Sequence, residues 1–332
     1  MSVNVIGELR SSPVVTRYVG NPVLTAEQVP YPATLTYNAG VAKYQGKYVM
    51  VFRNDVFTEE RRFQHTNLGL AYSDDGLKWE VAPRPCFSWR DEEVKRAYDP
   101  RLTVLEGRCY MCFALDTRHG LRGGIAVTDD FSHFEVLSLT TPDNRNLALF
   151  PERIGGQYLR LERPFPIYGH GPGHHFDIWI SDSSDLKYWG GHELLLGAED
   201  VPYGNDKVGP AAPPVRTPKG WLTLFHAVDI DPSRGKNGWE PQWIKRYTVG
   251  LMLLDLDDPR KVIGLCREPL LVPEAPYEVS GGIRNNVIFP GGMILEDSGE
   301  VKMYYGAADT VECVATASVD ELLKLCLGGG PR

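Results

Sequence analysis

Five segments share one pattern and decide the fold: GKYVMVFRND at 46–55, GRCYMCFALD at 107–116, GQYLRLERP at 156–164, GWLTLFHAVD at 220–229 and GEVKMYYGAAD at 299–309. Each opens on a glycine turn and alternates apolar residues over one strand length. A second short apolar strand with an Asp-rich turn follows each: LGLAYSDDGLKWE (68–80), GGIAVTDDFSHFE (123–135), FDIWISDSSDLKYWG (176–190), VGLMLLDLDDPRKVIG (249–264) and VATASVDELLKL (314–325). A third unit precedes each: YNAGVAKYQ, YDPRLTVLE, ALFPERIG, PAAPPVRTP and NNVIFPGGMILED. The triplet therefore recurs five times, with its glycines 61, 49, 64 and 79 residues apart. Radial repetition of four-stranded sheets is how an all-β chain limits its exposed edges. The expected fold is all-β, a single five-bladed β-propeller domain over 1–332, with extensions of about 1–19 and 319–332 outside the blades. The long spacing is expected to lie in loops on one face. A two-sheet sandwich is the alternative. Helix is expected only over 59–64 and 321–327.

Composition agrees. There are 34 Gly and 25 Pro among 332 residues, and 11% of residues are aromatic; many turns and many aromatics suit numerous short strands. The formal charge of −8 argues against sequence-independent nucleic-acid binding, which needs clustered Lys and Arg. No apolar run reaches ~18 residues, so no membrane span is expected. The first residues carry no secretory pattern, and six scattered Cys form no disulfide framework, so a cytoplasmic location is expected. Cys109 and Cys112 spell C-x-x-C, but three residues apart on a strand they point to opposite faces and read as core. The DLDD and DIDP segments lack a calcium-loop ligand pattern.

In a propeller the inner strands meet in one funnel. That brings together Asn38, Asp99, the region 145–152, Lys207–Gly209 and Asn285–Asn286. Asp99, in AYDPRL, is the candidate general acid: Pro100 biases it toward an extended backbone, and apolar Tyr98 and Leu102 behind it favour a raised pKa. The bland reading is a turn Asp before Pro. Arg145, Arg163 and His226 fall at the funnel ends of blades three and four, where two guanidinium forks and an imidazole make a tetrahedral oxyanion site. Asn38, Arg53, Asn54, Asp55, Lys207 and Asp309 are further polar strand ends. Tyr37, Tyr98, Tyr203, Trp239, Trp243, Tyr247 and Tyr305 are candidate sugar platforms. The segment YGHGPGHH (168–175) carries His170, His174 and His175 at no common zinc spacing, so it reads as an active-site loop and no metal is expected.

Taken together, YNAGVAKYQGKYVMVFR, AYDPRLT, LFPERIGGQYLRLERP, NDKVGPAAPPVRTPKGWLTLFH, NNVIFPGG and YYGAADT resemble family 130 of the glycoside hydrolases, the β-mannoside phosphorylases. The resemblance runs over nearly the whole chain, about 20–318, and implies a five-bladed propeller. It also implies Asp99 as the single catalytic acid, its proton passing through the 3-hydroxyl of the mannosyl unit. It implies a phosphate site of Arg145, Arg163 and His226 with Lys207, and sugar contacts from Asn38, Arg53, Tyr98, Asp309 and Tyr247. The implied reaction is inverting phosphorolysis of short β-mannosides to α-D-mannose 1-phosphate, on β-1,4-mannooligosaccharides or on mannosyl-glucose or mannosyl-N-acetylglucosamine. Inorganic phosphate is the co-substrate, and no cofactor is expected. Water-using family members place carboxylates where this chain keeps its three basic residues. Ala39, Ala42 and the loop 168–175 depart from the family pattern on the acceptor side. A β-mannosidase and a non-catalytic carbohydrate-binding propeller are the alternatives. The terminal extensions are candidates for docking on a second copy of the chain, making a homo-oligomer.

Overall fold

A computed structural model describes residues 4–166, 176–235 and 238–328. Four strands build blade I: Leu35–Tyr44, Lys47–Phe57, Phe63–Ser73 and Glu80–Val81. Blade II repeats the plan with Val94–Leu105, Arg108–Thr117, Gly120–Thr128 and Glu135–Leu139, and blade III with Asn144–Leu149, Tyr158–Pro164, Ile178–Ser183 and Gly190–Leu196. In blade IV the inner strand is broken into Lys207–Pro210 and Val215–Thr217, both paired to Gly220–Ile230, with Lys245–Leu254 and Val262–Leu265 outside. Blade V comprises Ile288–Leu295, Glu300–Ala307, Val311–Ser318 and, from the other end of the chain, Thr16–Arg17. All these strand pairs are antiparallel. The five-bladed propeller expected from the repeats is the fold.

The glycines that open the second strands do one job. Gly46, Gly107, Gly156 and Gly299 have φ of 81°, 81°, 80° and 84°, a turn conformation that costs side-chain-bearing residues more. The Asp-rich turns are Asx turns. Asp75 accepts from the amides of Leu77 and Lys78, Asp185 from Lys187 and Tyr188, and Asp255 from Asp257 and Asp258. That accounts for DLDD without calcium.

Each blade is apolar on both faces because it packs between two others. Five clusters of buried residues result, one between each pair of neighbouring blades. Strand Lys47–Phe57 shows how alternation supplies them: Val49 and Val51 face blade II, whereas Tyr48, Met50 and Phe52 face blade V. Cys109 and Cys112 likewise fall into different clusters, as strand geometry requires.

Two expectations are corrected. Residues 59–64 are not helical: Arg61 adopts φ 60° and Thr58 exchanges backbone hydrogen bonds with Arg61 and Arg62, so the segment is the tip of a hairpin. The N-terminal extension does not lie wholly outside the blades. Thr16 and Arg17 pair with Thr316 and Ala315, closing the ring with a strand from the chain's start. The C-terminal segment does fold as a helix, Val319–Gly328, which buries Leu322, Leu323 and Cys326 against blades IV and V. Among the described residues no helix is long and apolar enough to cross a membrane.

Candidate active site

The inner strands of blades I, II and III carry the same irregularity. Register slips between Tyr37 and Gly40, between Tyr98 and Arg101, and between Arg145 and Ala148. At each bulge one residue takes a left-handed backbone: Asn38 at φ 52°, Asp99 at 52° and Asn146 at 61°. Asn and Asp tolerate this region better than other side-chain-bearing residues. The extended backbone expected for Asp99 from Pro100 is therefore wrong; the bulge overrides the proline's bias and turns the side chain into the funnel. Asn146 was missed in the sequence, although Y-N-A-G, Y-D-P-R and R-N-L-A place an Asx residue at one repeat position.

These side chains line a cavity of about 600 Å³. Asn38, Arg53, Tyr98, Asp99, Arg145, Arg163, Tyr247 and Asp309 all reach it, as the sequence reading required. Tyr37, Asp55, Asn146 and Trp243 join them. Tyr203 and Tyr305 do not: both are buried in inter-blade clusters, where the Tyr305 hydroxyl donates to Glu278. His170, His174 and His175 lie outside the described residues.

Asp99 is 11% exposed at its side chain. One carboxylate oxygen accepts from Asn38 Nδ2 (3.0 Å) and from Arg53 Nη1 (3.2 Å). Burial pushes its pKa up, but Arg53, Arg101, the Asn38 hydrogen bond and Arg145 outweigh it, and the net shift is downward. The raised value expected from an apolar backing is overturned. Arg53 is shared with Asp55, whose carboxylate also accepts from Tyr37 and Thr66. Asp309 behaves oppositely. Burial, opposed by Arg284 and Arg53, leaves its pKa raised, with Asp99 adding to the rise.

The facing wall is cationic. Arg145 and Arg163 are cross-strand partners in blade III. Arg145 Nη1 donates to the Tyr98 hydroxyl (3.0 Å), which itself donates to Asp116 (2.7 Å). Arg163 Nη1 lies 3.0 Å from His226 Nε2. An arginine can only donate, so that histidine nitrogen accepts and His226 is neutral. Burial and then Arg163 hold the His226 pKa well below its ordinary value. Burial, then Arg145, bring Arg163 down to about 9, and burial, then Arg163, bring Lys207 down to about 6. His226 and Lys207 do not line the cavity: His226 stacks on Tyr247, meets Phe289 at a 47° tilt and lies against the Arg163 guanidinium. Among the described residues neither Arg145 nor Arg163 forms an ion pair, and the Nε of each is buried without a hydrogen-bond partner. Arg163 and Lys207, whose proton affinity burial and neighbouring cations depress, form with Arg145 a site for an anion.

Four further carboxylates reach the cavity and each is held by arginine; Asp55 and Asp309 were expected there from the sequence, Asp116 and Glu240 were not. Arg53 pairs with Asp55, Arg96 with Asp116, and Arg284 with both Asp309 and Glu240.

Fold and site together define a class: a five-bladed propeller enzyme with an acid at a funnel bulge facing an anion-receptive wall. The chain belongs to glycoside hydrolase family 130, since residues 11–327 match the family model described as beta-1,4-mannooligosaccharide phosphorylase. It is 33% identical to the beta-1,4-mannooligosaccharide phosphorylase of Ruminococcus albus, over 93% of this chain and 90% of that protein. It is 30% identical to the 4-O-beta-D-mannosyl-D-glucose phosphorylase of Bacteroides fragilis, over 95% of this chain and 81% of that one. Among solved structures, the beta-1,2-mannobiose phosphorylase from Listeria innocua, in complex with beta-1,2-mannobiose, superposes with a TM-score of 0.82 at 26% identity. That match covers 94% of this chain and 99% of the other.

Proposed function

We propose that the chain is an inverting β-mannoside phosphorylase. Inorganic phosphate displaces the leaving sugar of a short β-mannoside, giving α-D-mannose 1-phosphate and a shortened acceptor. One observation carries this reading: Asp99 shares its cavity with Arg145 and Arg163, two cations without a carboxylate partner among the described residues. An inverting hydrolase needs a second carboxylate as base to activate water. Phosphate is already an anionic nucleophile, so cations that hold it in line with the anomeric carbon replace that base. The other carboxylates of the cavity each pair with an arginine, Asp309 and Glu240 sharing Arg284, which suits them to sugar hydroxyls. The names of the relatives support the same reaction class.

The charges also supply the acid. Without phosphate Asp99 is ionised, held down by Arg53 and then Arg101, with Arg145 adding to them. A phosphate dianion against Arg145 cancels part of that field, and its own charge beside Asp99 raises the carboxyl's proton affinity. Loading the nucleophile thus protonates the acid that the leaving group requires. His226 keeps Arg163 oriented while remaining uncharged. A cytoplasmic, reducing setting belongs to this reading, and the six free cysteines support it. The test is incubation with a panel of β-mannosides, with and without phosphate, reading product anomer and linkage by NMR. Phosphate-dependent α-mannose 1-phosphate is expected. Equal release of free mannose with and without phosphate overturns the reading.

A further inference from the structure

Behind the cavity lies a cation that the reacting groups do not touch. Arg101 is 2% exposed and lines no part of the cavity. Among the described residues its hydrogen bonds all go to backbone carbonyls. Nη1 donates to the carbonyl of Pro100 (2.9 Å) and to that of Asp99 (3.4 Å), and Nε donates to the carbonyl of Ala211 (2.8 Å). Asp99 and Pro100 are the residues that the register slip of blade II leaves without a cross-strand partner. Ala211 follows directly on Lys207–Pro210, the inner strand of blade IV whose Gly209 opposes His226. Blade III separates blades II and IV, so the side chain reaches across the centre of the ring. The Phe289 ring of blade V supports it, with its centroid 4.9 Å from the guanidinium and 4.8 Å from the His226 ring. The inner strand of blade I closes on its backbone: a Cβ on Gly40 would stand 2.9 Å from the Arg101 Cα.

We propose that Arg101 is a positioning residue for the reaction: it clamps the bulge that presents Asp99 and ties that bulge to the strand behind the cationic wall. This rests on the phosphorylase reading above, because Arg101 acts through Asp99 as the acid. Three observations carry it. A buried guanidinium without a carboxylate partner costs stability that an apolar side chain of similar volume would not, so packing does not explain an arginine here. Two of its contacts fall on the carbonyls of the bulge where Asp99 holds φ 52°, a conformation that persists only where its surroundings over-determine it. The third falls on blade IV, so one planar fork fixes how far the acid stands from the cationic wall. The charge has a second effect. Asp99 is faced by Arg53 and Tyr37 of blade I, Tyr98 of its own strand, Arg145 of blade III, and Asp309 and Glu312 of blade V. Arg101 comes next after Arg53 among the charges that hold the Asp99 carboxyl down. Burial pushes the Glu312 carboxyl well up, so it competes weakly for Arg101.

The experiment compares the full chain with Arg101→Lys and Arg101→Gln on two substrates in saturating phosphate: a β-mannosyl disaccharide and dinitrophenyl β-mannoside. Dinitrophenolate leaves without a proton, so a displaced acid slows the disaccharide alone. In both variants kcat on the disaccharide is expected to fall roughly 10–100-fold, and on the dinitrophenyl substrate by less than about threefold. The ratio of the two rates does not depend on how much of a variant has folded, so a merely structural loss leaves it at the wild-type value. A second readout follows the acid itself. Carboxyl carbon-13 NMR of Asp-labelled protein is titrated without substrate, with the Asp99 signal assigned by its absence in Asp99→Asn. Its midpoint should rise in Arg101→Gln, which removes the charge, and move less in Arg101→Lys, which keeps it. An unchanged rate ratio, or an Asp99 midpoint that Arg101→Gln leaves in place, overturns the proposal. A wild type inert toward both substrates overturns the phosphorylase reading, and this proposal with it.

Discussion

Two walls of one cavity are equally buried and differ in how folding leaves their charges. On the blade I wall, Asp55 accepts from Tyr37 (2.8 Å), from Thr66 (2.5 Å) and from Arg53 (2.6 Å). Burial pushes its pKa up, and Arg53 with these hydrogen bonds brings it below the usual carboxylate range. That wall is complete without ligand. On the blade III and IV wall, Arg163 has a neutral histidine as its hydrogen-bonded partner, with Arg145 and Lys207 beside it. Folding has gathered two arginines there with no carboxylate partner for either among the described residues, while Lys207 lies 3.8 Å from Asp206. The first wall recognises a neutral sugar by fixed donors and acceptors, and the second is completed by an anion.

Asp99 stands where the walls meet, so its removal should give the largest effect. Asp99→Asn keeps the shape and the Asn38 contact but cannot deliver a proton. The expected loss in kcat is about 10²–10⁴-fold. Phosphate binding, measured calorimetrically on the same variant, should persist and tighten, because the carboxylate charge that opposes the dianion is gone. A rate within tenfold of wild type would remove Asp99 from the acid's role.

The difference between the walls also sets what a sequence reader can see. The repeat was legible because four of the five strand-opening glycines serve one turn geometry and because alternation feeds two inter-blade cores at once. Arg145, Arg163 and Asp99 were legible because a propeller sends inner-strand ends to one funnel. Closure by Thr16–Arg17 was not, since its partners Ala315 and Thr316 lie some 300 residues away and a two-residue strand has no periodicity. The Asp99 backbone was misread because a proline rule is local, whereas the bulge is set by pairing with the next strand. Its proton affinity was misread because Arg53, distant in sequence, and Arg101, on the same strand, set most of the field, with Arg145 adding to it. Asn146 was overlooked because its match to Asn38 and Asp99 emerges only when the three bulges are aligned.

Paired substitutions separate the walls by stability. Asp55→Asn leaves Arg53 buried with a weakened partner and should cost about 3–5 kcal/mol in chemical denaturation. Arg163→Met removes a buried cation that has no ion-pair partner among the described residues, so stability should hold or rise. Its cost appears in the phosphate KM, expected to increase by roughly 10–100-fold, the worth of one or two charge-assisted hydrogen bonds. If Arg163→Met destabilises as much as Asp55→Asn, the cationic wall has a counter-ion after all and the contrast fails.

The smallest effect sharpens the contrast most, because it reads a proton. Lys207, at about 6 in the empty site, is largely neutral at pH 7.5, whereas in the unfolded chain it is charged up to the ordinary lysine range. The unfolded state therefore binds more protons between about pH 6 and 10.5, and stability rises with pH across that window. The penalty is full below about pH 6 and vanishes above the lysine range, so Lys207→Met should stabilise the empty protein at pH 7 and not at pH 11. Phosphate reverses the balance. A dianion beside Lys207 favours the ammonium, so binding at pH 7.5 should draw a proton onto the wild-type protein that Lys207→Met does not take. Calorimetry in buffers of different ionisation enthalpy measures that difference directly, with phosphate's own ionisation cancelling between the two proteins. Phosphate affinity itself should fall only about tenfold in the variant, because Lys207 stands behind Arg163 and acts through charge. Equal proton uptake by both proteins would place the titrating group elsewhere.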